Sequence, residues 1–167
     1  MGKSWVLCGV CLLFGAAATG AAQETAVPPE KIPQVVREAL VKKFPQAQIT
    51  KCTQTTEDGD TVYDIEFLQK GRKCEADIKA NGVYVNYEQA IAASALPKAV
   101  RDGIDKRYPR AVLKEVMEEK EVQGTTDRLS AYEVVLATAE GKEAEVRVSP
   151  DGQILEDSGV PQPEKKK

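Results

Sequence analysis

From Ile32 the chain carries an apolar residue at every fourth position, Ile32, Val36, Leu40 and Phe44, among mostly polar neighbours. That period draws one apolar stripe along a helix and predicts a short amphipathic helix with a single face to a core. Pro33 suits a first helical turn, where a missing N–H costs nothing, and Pro45 disfavours helix at the residue before it. The pattern returns 64 positions later, with Leu96, Val100, Ile104 and Tyr108 as the stripe and Pro97 and Pro109 at its ends. Arg37 and Ala47 recur as Arg101 and Ala111 in the same register. Shared prolines, apolar positions and charges at one offset predict an internal duplication. Gly103 stands where the first copy has Ala39. A glycine inside a helix costs about 1 kcal/mol relative to alanine, so this one predicts close packing of the second helix against the sheet.

Between and after the helices the period changes from four to two, the signature of strands with one buried face. Strand-like runs cover Gln48–Thr55, Thr61–Gln69, Arg72–Ala80 and Val83–Glu88. A polar loop, 56–60, follows the first, Lys70-Gly71 turns between the second and third, and Asn81-Gly82 is a strong hairpin signal between the third and fourth. Tyr63, Ile65 and Phe67, then Cys74, Ala76 and Ile78, then Val83, Val85 and Tyr87, are predicted to face inward. The second copy offers Ala111–Glu119, a charged loop from Lys120 to Arg128, strands around Tyr132–Leu136 and Ala144–Val148, the turn Asp151-Gly152 and a last strand, Gln153–Asp157. Ser94 is placed to cap the second helix. The predicted fold class is α+β: two tandem α-β-β-β-β repeats, each a helix packed on a four-stranded antiparallel meander, at residues 31–93 and 94–158.

The chain ends read differently. Lys3 precedes an apolar run, Trp5–Ala18, and small residues, Gly20-Ala21-Ala22. This predicts a secretory signal peptide over residues 1–22. The run is shorter than the roughly 20 residues needed to span a bilayer, so no membrane span is expected after cleavage. A linker is predicted at 23–30 and a disordered tail at 159–167, where prolines lead into three terminal lysines. The implied localisation is export, periplasmic or secreted.

Without residues 1–22, which carry only Lys3, 22 basic residues face 26 acidic ones. No basic stripe is present to neutralise phosphates, which argues against a nucleic-acid partner. The chain contains no histidine, which excludes histidine triads, histidine general bases and nearly all catalytic zinc sites. No phosphate-binding glycine loop or G-x-S-x-G is present, and no cofactor is predicted.

Cys52 and Cys74 remain in the exported part, where disulfides are common. In a meander the second strand lies between them, so their Cα atoms stand about two strand spacings, roughly 9–10 Å, apart. A disulfide tolerates about 7 Å at most. The bland reading, two small core residues, is therefore favoured over a bridge.

Counting outward from Lys70-Gly71 puts Glu66 opposite Glu75 and Asp64 opposite Asp77, and counting from Asn81-Gly82 brings Glu88 beside Glu75 and Asn86 beside Asp77. Like charges directly opposite each other destabilise a sheet. In the second copy the same count gives a compensated pair, Glu133 with Arg147, so the cluster is predicted for the first repeat alone. Asp64, Glu66, Glu75, Asp77 and Glu88 are the candidate site residues. They suit a basic docking partner or a weakly held divalent cation, since calcium takes carboxylate oxygens. The bland alternative is a solvated face screened by salt and by Lys73 and Lys79. Acid–base catalysis needs carboxyls in different environments, whereas this pattern reads as one uniformly wet face.

Both copies fit one motif: [IVL]-P-x-x-V-x-x-[AG]-[LI]-x-x-[KR]-[FY]-P-x-A, followed by strands and an Asx-Gly hairpin. This resembles the PepSY-like domain, whose fold is similar to the β-lactamase inhibitor protein, over Lys31–Asp157. The resemblance implies an extracytoplasmic, non-enzymatic binding or inhibitor module with a protein or peptide partner, using a surface formed by two sheets. The alternative is a divalent-cation-binding envelope protein using the acidic face. The motif residues are core and turn positions, so no inhibitory residue carries over.

Overall fold

In the computed structural model, which describes residues 24–57 and 59–159, the two stripes are the buried faces of two ten-residue helices. Helix α1 (Gln34–Lys43) buries Val36 and Leu40, and α2 (Lys98–Arg107) buries Val100 and Ile104. Pro33 and Pro97 sit one position before the first helical residue, as N-caps. At the other end Pro45 and Pro109 stop both helices alike. The N–H of Phe44 still reaches the Leu40 carbonyl, and that of Tyr108 the Ile104 carbonyl, both at 2.7 Å. Gln46 and Arg110 then take positive φ, 71° and 65°, and turn the chain into a strand. Ser94 does not cap α2. It lies in a single 3-10 turn, Ala93–Ala95, and α2 has no side-chain cap bond.

The strands are β1 (Thr25–Ala26), β2 (Gln48–Glu57), β3 (Asp60–Gln69), β4 (Arg72–Lys79), β5 (Tyr84–Ala90), β6 (Val112–Gln123), β7 (Thr126–Ala137), β8 (Glu143–Val148) and β9 (Ile154–Asp157). All nine form one antiparallel sheet in sequence order. The expected pair of separate meanders is thereby corrected, because β5 pairs with β6 from Asn86↔Glu121 to Ala90↔Met117. An unpaired edge exposes a row of N–H and C=O groups, and this junction covers two of them at once. The segment expected as a linker at 23–30 adds β1 to the outer edge of β2, with Val27 N–H bonded to Cys52 O at 2.8 Å. The signal-peptide reading at 1–22 and all of the tail beyond Gly159 lie outside the described residues. No described helix is long and apolar enough to cross a membrane.

Both helices lie on one face of the sheet. Under α1, Cys52, Tyr63, Ile65, Phe67, Cys74, Ala76, Ile78 and Tyr87 form one core with Val36, Leu40 and Phe44. Under α2, Val116, Tyr132, Val134, Leu136, Ala144, Val146 and Val148 form the second. Val83, expected inside, is exposed: it precedes β5, and a bulge at Asp77/Ile78 sets Tyr84 opposite Ile78. The stretch expected as a charged loop, Lys120–Arg128, is mostly strand. Its charges face each other across a hairpin, with Arg128 Nη2 2.6 Å from Glu121, and the ladder continues to Gln123↔Thr126. From that hairpin Asp127 reaches Lys43 at 2.8 Å and Tyr87 Oη at 2.9 Å, tying the second half to the end of α1.

Gly103 meets the reason inferred for it. A Cβ there would lie 2.2 Å from the Gly152 carbonyl oxygen, in the turn before β9, and a Cβ on Gly152 would lie 2.2 Å from the Ala99 carbonyl oxygen. Gly103→Ala should therefore destabilise by roughly 1–3 kcal/mol through overpacking, although alanine alone would favour the helix by about 1 kcal/mol. Urea unfolding measures this, and an unchanged midpoint would show that the turn simply moves aside. Cys52 and Cys74 are buried free thiols on β2 and β4, opposite Ile65 and Phe67 of the intervening β3. Burial, then the charge of Asp64, pushes the Cys52 thiol up to about 12. Alkylation without reductant, read by peptide mass, should label both cysteines after denaturation and neither before it. A Cys52–Cys74 cross-linked peptide would contradict this register.

Candidate functional site

No helix covers the second face of the sheet among the described residues, yet that face is crowded with carboxylates. The alternation that sends Tyr63, Ile65 and Phe67 into the core sends Asp64 and Glu66 the other way. The predicted pairs are all present: Asp64↔Asp77, Glu66↔Glu75, Glu75↔Glu88 and Asp77↔Asn86. The five candidate residues thus share one face. The cluster does not stop at the first half, however. Through the β5–β6 ladder Glu88 also stands opposite Glu119, and Met117 of β6 stands opposite Glu133 of β7. Glu119, Glu133 and Glu145 were missed because the halves were read as separate sheets. The unpaired β5 edge, long and alternating, was the available signal.

The face is also drier than its composition suggests. Glu119 is fully buried and Glu88 is only 9% exposed, so the expectation of a uniformly wet surface is corrected. Several strands carry bulges here, at Leu113/Glu115, Glu119/Lys120 and Arg147/Val148. Bulges bend strands and strengthen their twist, which crowds side chains on this face.

The carboxylates differ in how they are met. Glu119 is held by a forked Arg147, Nε–Oε2 2.5 Å and Nη2–Oε1 2.8 Å, and accepts a bond from Ser130 Oγ at 2.8 Å. That bidentate geometry is what makes a fully buried carboxylate tolerable. The sequence register of Glu133 opposite Arg147 is right, but the guanidinium forks onto Glu119, reaching across β7. Glu75 has Lys73 at 2.9 Å, which also serves Glu115 at 2.6 Å, and Glu66 has Lys51 at 3.0 Å. Lys79, expected to screen the cluster, reaches Asp60 at 2.6 Å. Glu88 Oε2 is buried without a hydrogen-bond partner, as are Asn86 Nδ2 and Thr53 Oγ1 on the same face.

These surroundings displace the titrations. Burial first, then the charges of Asp77, Glu75 and Glu66, raises Asp64 to about 7. Burial, then Glu145, Glu75 and Glu119, raises Glu133 to about 8. Burial, then Glu133, Glu75 and Glu119, pushes Glu88 well above the ordinary carboxylate range. Among the described residues no group of three carboxylates or thiols is placed to hold a metal ion. A cleft of about 240 Å³ opens beside this face, between Lys73, Ala90, Ile91, Leu113 and Glu115, below the usual size of a ligand pocket.

A family model provisionally described as beta-lactamase-inhibitor-like, PepSY-like, matches residues 19–70 and again residues 61–156. The chain belongs to the PepSY-like family. Solved structures share the PepSY-like chain's fold at low identity. A BLIP-like protein from Bacteroides fragilis is 21% identical with a TM-score of 0.53, over 84% of this chain and 93% of that one. A protein from Bacteroides eggerthii, provisionally described as periplasmic, is 15% identical with a TM-score of 0.59, over 77% and 88%. A DUF2874 family protein from Bacteroides uniformis is 17% identical with a TM-score of 0.58, over 77% and 89%. No functionally curated protein matches the PepSY-like chain.

Raised carboxyl pKa values carry a definite sign. The native state holds protons on Asp64 and Glu133 that the unfolded chain releases near pH 4, so this stability is present at low pH and lost as pH rises through about 7 and 8. Each such proton contributes a slope of up to about 1.4 kcal/mol per pH unit. Calorimetry should find the melting temperature falling between pH 5 and pH 8.5, and falling less in Asp64→Asn/Glu133→Gln. A melting temperature that rises over this interval would mean that these carboxylates are solvated and ionised in the native protein.

Proposed function

We propose that this chain is an exported, non-catalytic binding module built from a duplicated α-β-β-β-β unit, which receives a protein partner on the helix-free face of its sheet. The observation that carries this reading is the accumulation on one uncovered face of carboxylates from both halves, Asp64, Glu66, Glu75, Asp77 and Glu88 with Glu119, Glu133 and Glu145. A face rich in carboxyl groups offers a basic partner charge complementarity and hydrogen-bond acceptors. Membership in the PepSY-like family and the likeness to a BLIP-like protein support a binding or inhibitory role. Export is supported by the Lys3–Ala22 pattern and by the periplasmic description of the protein from Bacteroides eggerthii. The divalent-cation alternative is the weaker reading, since metal binding needs several oxygen ligands converging at 2.3–2.6 Å for calcium.

The test places a photoreactive amino acid at Val135, which lies on the acidic face opposite Glu145, or at Val41, which is exposed on α1. Illumination in the exporting cell should give a discrete protein adduct from position 135 and none from position 41. Adducts from position 41 alone would move the docking surface to the helical side and overturn the reading.

A further inference from the structure

The acidic face is compensated unevenly, and the exception lies at its centre. Glu88 is flanked by Glu75 on β4 and by Glu119 on β6. Each flanking carboxylate is met by a cation, Glu75 by Lys73 at 2.9 Å, shared with Glu115, and Glu119 by Arg147 at 2.5 Å. Glu88 has an oxygen buried with no partner while the residue is 91% removed from solvent. Two positions along β5, on the same face, the Asn86 Nδ2 donor is likewise buried and unpartnered. An orphaned acceptor and an orphaned donor side by side form an incomplete polar site, because native proteins satisfy nearly all such groups. Resting on the docking surface proposed above, the geometry points to Glu88 as the seat of an arginine or lysine side chain from the protein partner, with Asn86 left to donate to a carbonyl of the same segment.

The alternatives fit less well. A metal ion needs three or more convergent ligands, and no such group exists among the described residues. A guanidinium or ammonium needs only one carboxylate and gains a charge-assisted bond from it. The charged groups facing Glu88 from the packed strands are Glu75, Asp77, Glu119 and Glu133, with Lys73 and Arg147 engaged as described. An incoming cation therefore meets carboxyl groups on β4, β6 and β7, with Lys73 and Arg147 already engaged by Glu75 and Glu119. Burial first, then the neighbouring carboxylates, pushes the free Glu88 carboxyl well above its ordinary range. Docking a cation favours its ionised form, so binding releases a proton and strengthens as pH rises toward the free protein's titration midpoint.

The experiment titrates the full chain with methylguanidinium while carboxyl carbons are followed by NMR, against tetramethylammonium and calcium at equal ionic strength. Methylguanidinium should give a saturable shift at the Glu88 carboxyl and move its titration midpoint to lower pH. Glu88→Gln should weaken that binding roughly tenfold, and Glu133→Gln should weaken it less, which guards against a general loss of fold or field. Equal shifts with tetramethylammonium would reduce the effect to screening, a stronger response to calcium would replace the side chain with a metal, and an unmoved Glu88 carboxyl would remove the site. Any of these three overturns the inference. If adducts from position 135 persist alongside such a failure, the docking surface stands and only the role of Glu88 falls.

Discussion

The β5–β6 ladder is the constraint on which the remaining structure depends. Each half has its own helix over its own apolar core, with only Val122 and Ile91 packing across to the core of the other half. The main join between the halves is a run of backbone hydrogen bonds along Asn86–Ala90 and Met117–Glu121. Pairing these strands removes two exposed edges, but it fixes every side chain along the seam in a strict two-residue alternation. Tyr87, Gln89 and Glu118 go to the helical side and Glu88 and Glu119 to the other. The junction cannot form without setting two glutamates opposite each other. Asp127 adds a second tie outside the sheet, and the same helix position, Lys43 or Arg107, supplies the cation in each half. In the second half that cation meets Asp157 of its own last strand. In the first half it meets a residue from the neighbouring hairpin.

Opposing glutamates on a crowded sheet have three ways to persist: ion pairing, solvation or protonation. Glu119 takes the first, since the Arg147 fork satisfies both oxygens at zero exposure. Glu66, with about a fifth of its side chain exposed and Lys51 beside it, combines the first two. Glu88 has neither a fork nor much water, and burial drives it toward the protonated acid. A neutral carboxyl is far cheaper to bury than an isolated carboxylate. The face thus keeps an unsatisfied carboxyl oxygen at Glu88, between two glutamates that are already met by cations.

Most of the fold was legible in the sequence because it rests on local chemistry. Fourfold apolar spacing, prolines at both ends of each helix and the Lys70-Gly71 and Asn81-Gly82 turns act within a few residues, and the strand register counted from those turns is the observed one except beside Asn81-Gly82, where a bulge sets Tyr84 opposite Ile78. The same register separated Cys52 from Cys74 by one strand. What stayed hidden depends on partners distant in the chain. Thr25–Ala26 reads as linker because two residues carry no period, and only the edge of β2 makes them a strand. Lys120–Arg128 reads as a loop because its charges look solvated, whereas cross-strand pairs such as Arg128 with Glu121 stabilise an extended hairpin. The candidate site was half legible for the same reason: Asp64 through Glu88 lie within two tight turns, but Glu119 enters through a ladder that no turn encodes.

The division between the faces also explains why family membership says so little about a partner. Every position of the repeated motif, from Ile32 to Ala47 and from Leu96 to Ala111, belongs to a helix, its caps or the turn that follows it. The apolar ones among them, Ile32, Val36, Leu40 and Phe44 and their counterparts Leu96, Val100, Ile104 and Tyr108, pack against one side of the sheet. The other side is built from alternate residues that do not pack into either apolar core, so apart from the buried Glu119–Arg147 pair their chemistry can change without disturbing those cores. A shared fold at 15–21% identity is what such a division allows. In this chain the motif-free side is where Glu75, Glu88 and Glu119 run side by side across three strands.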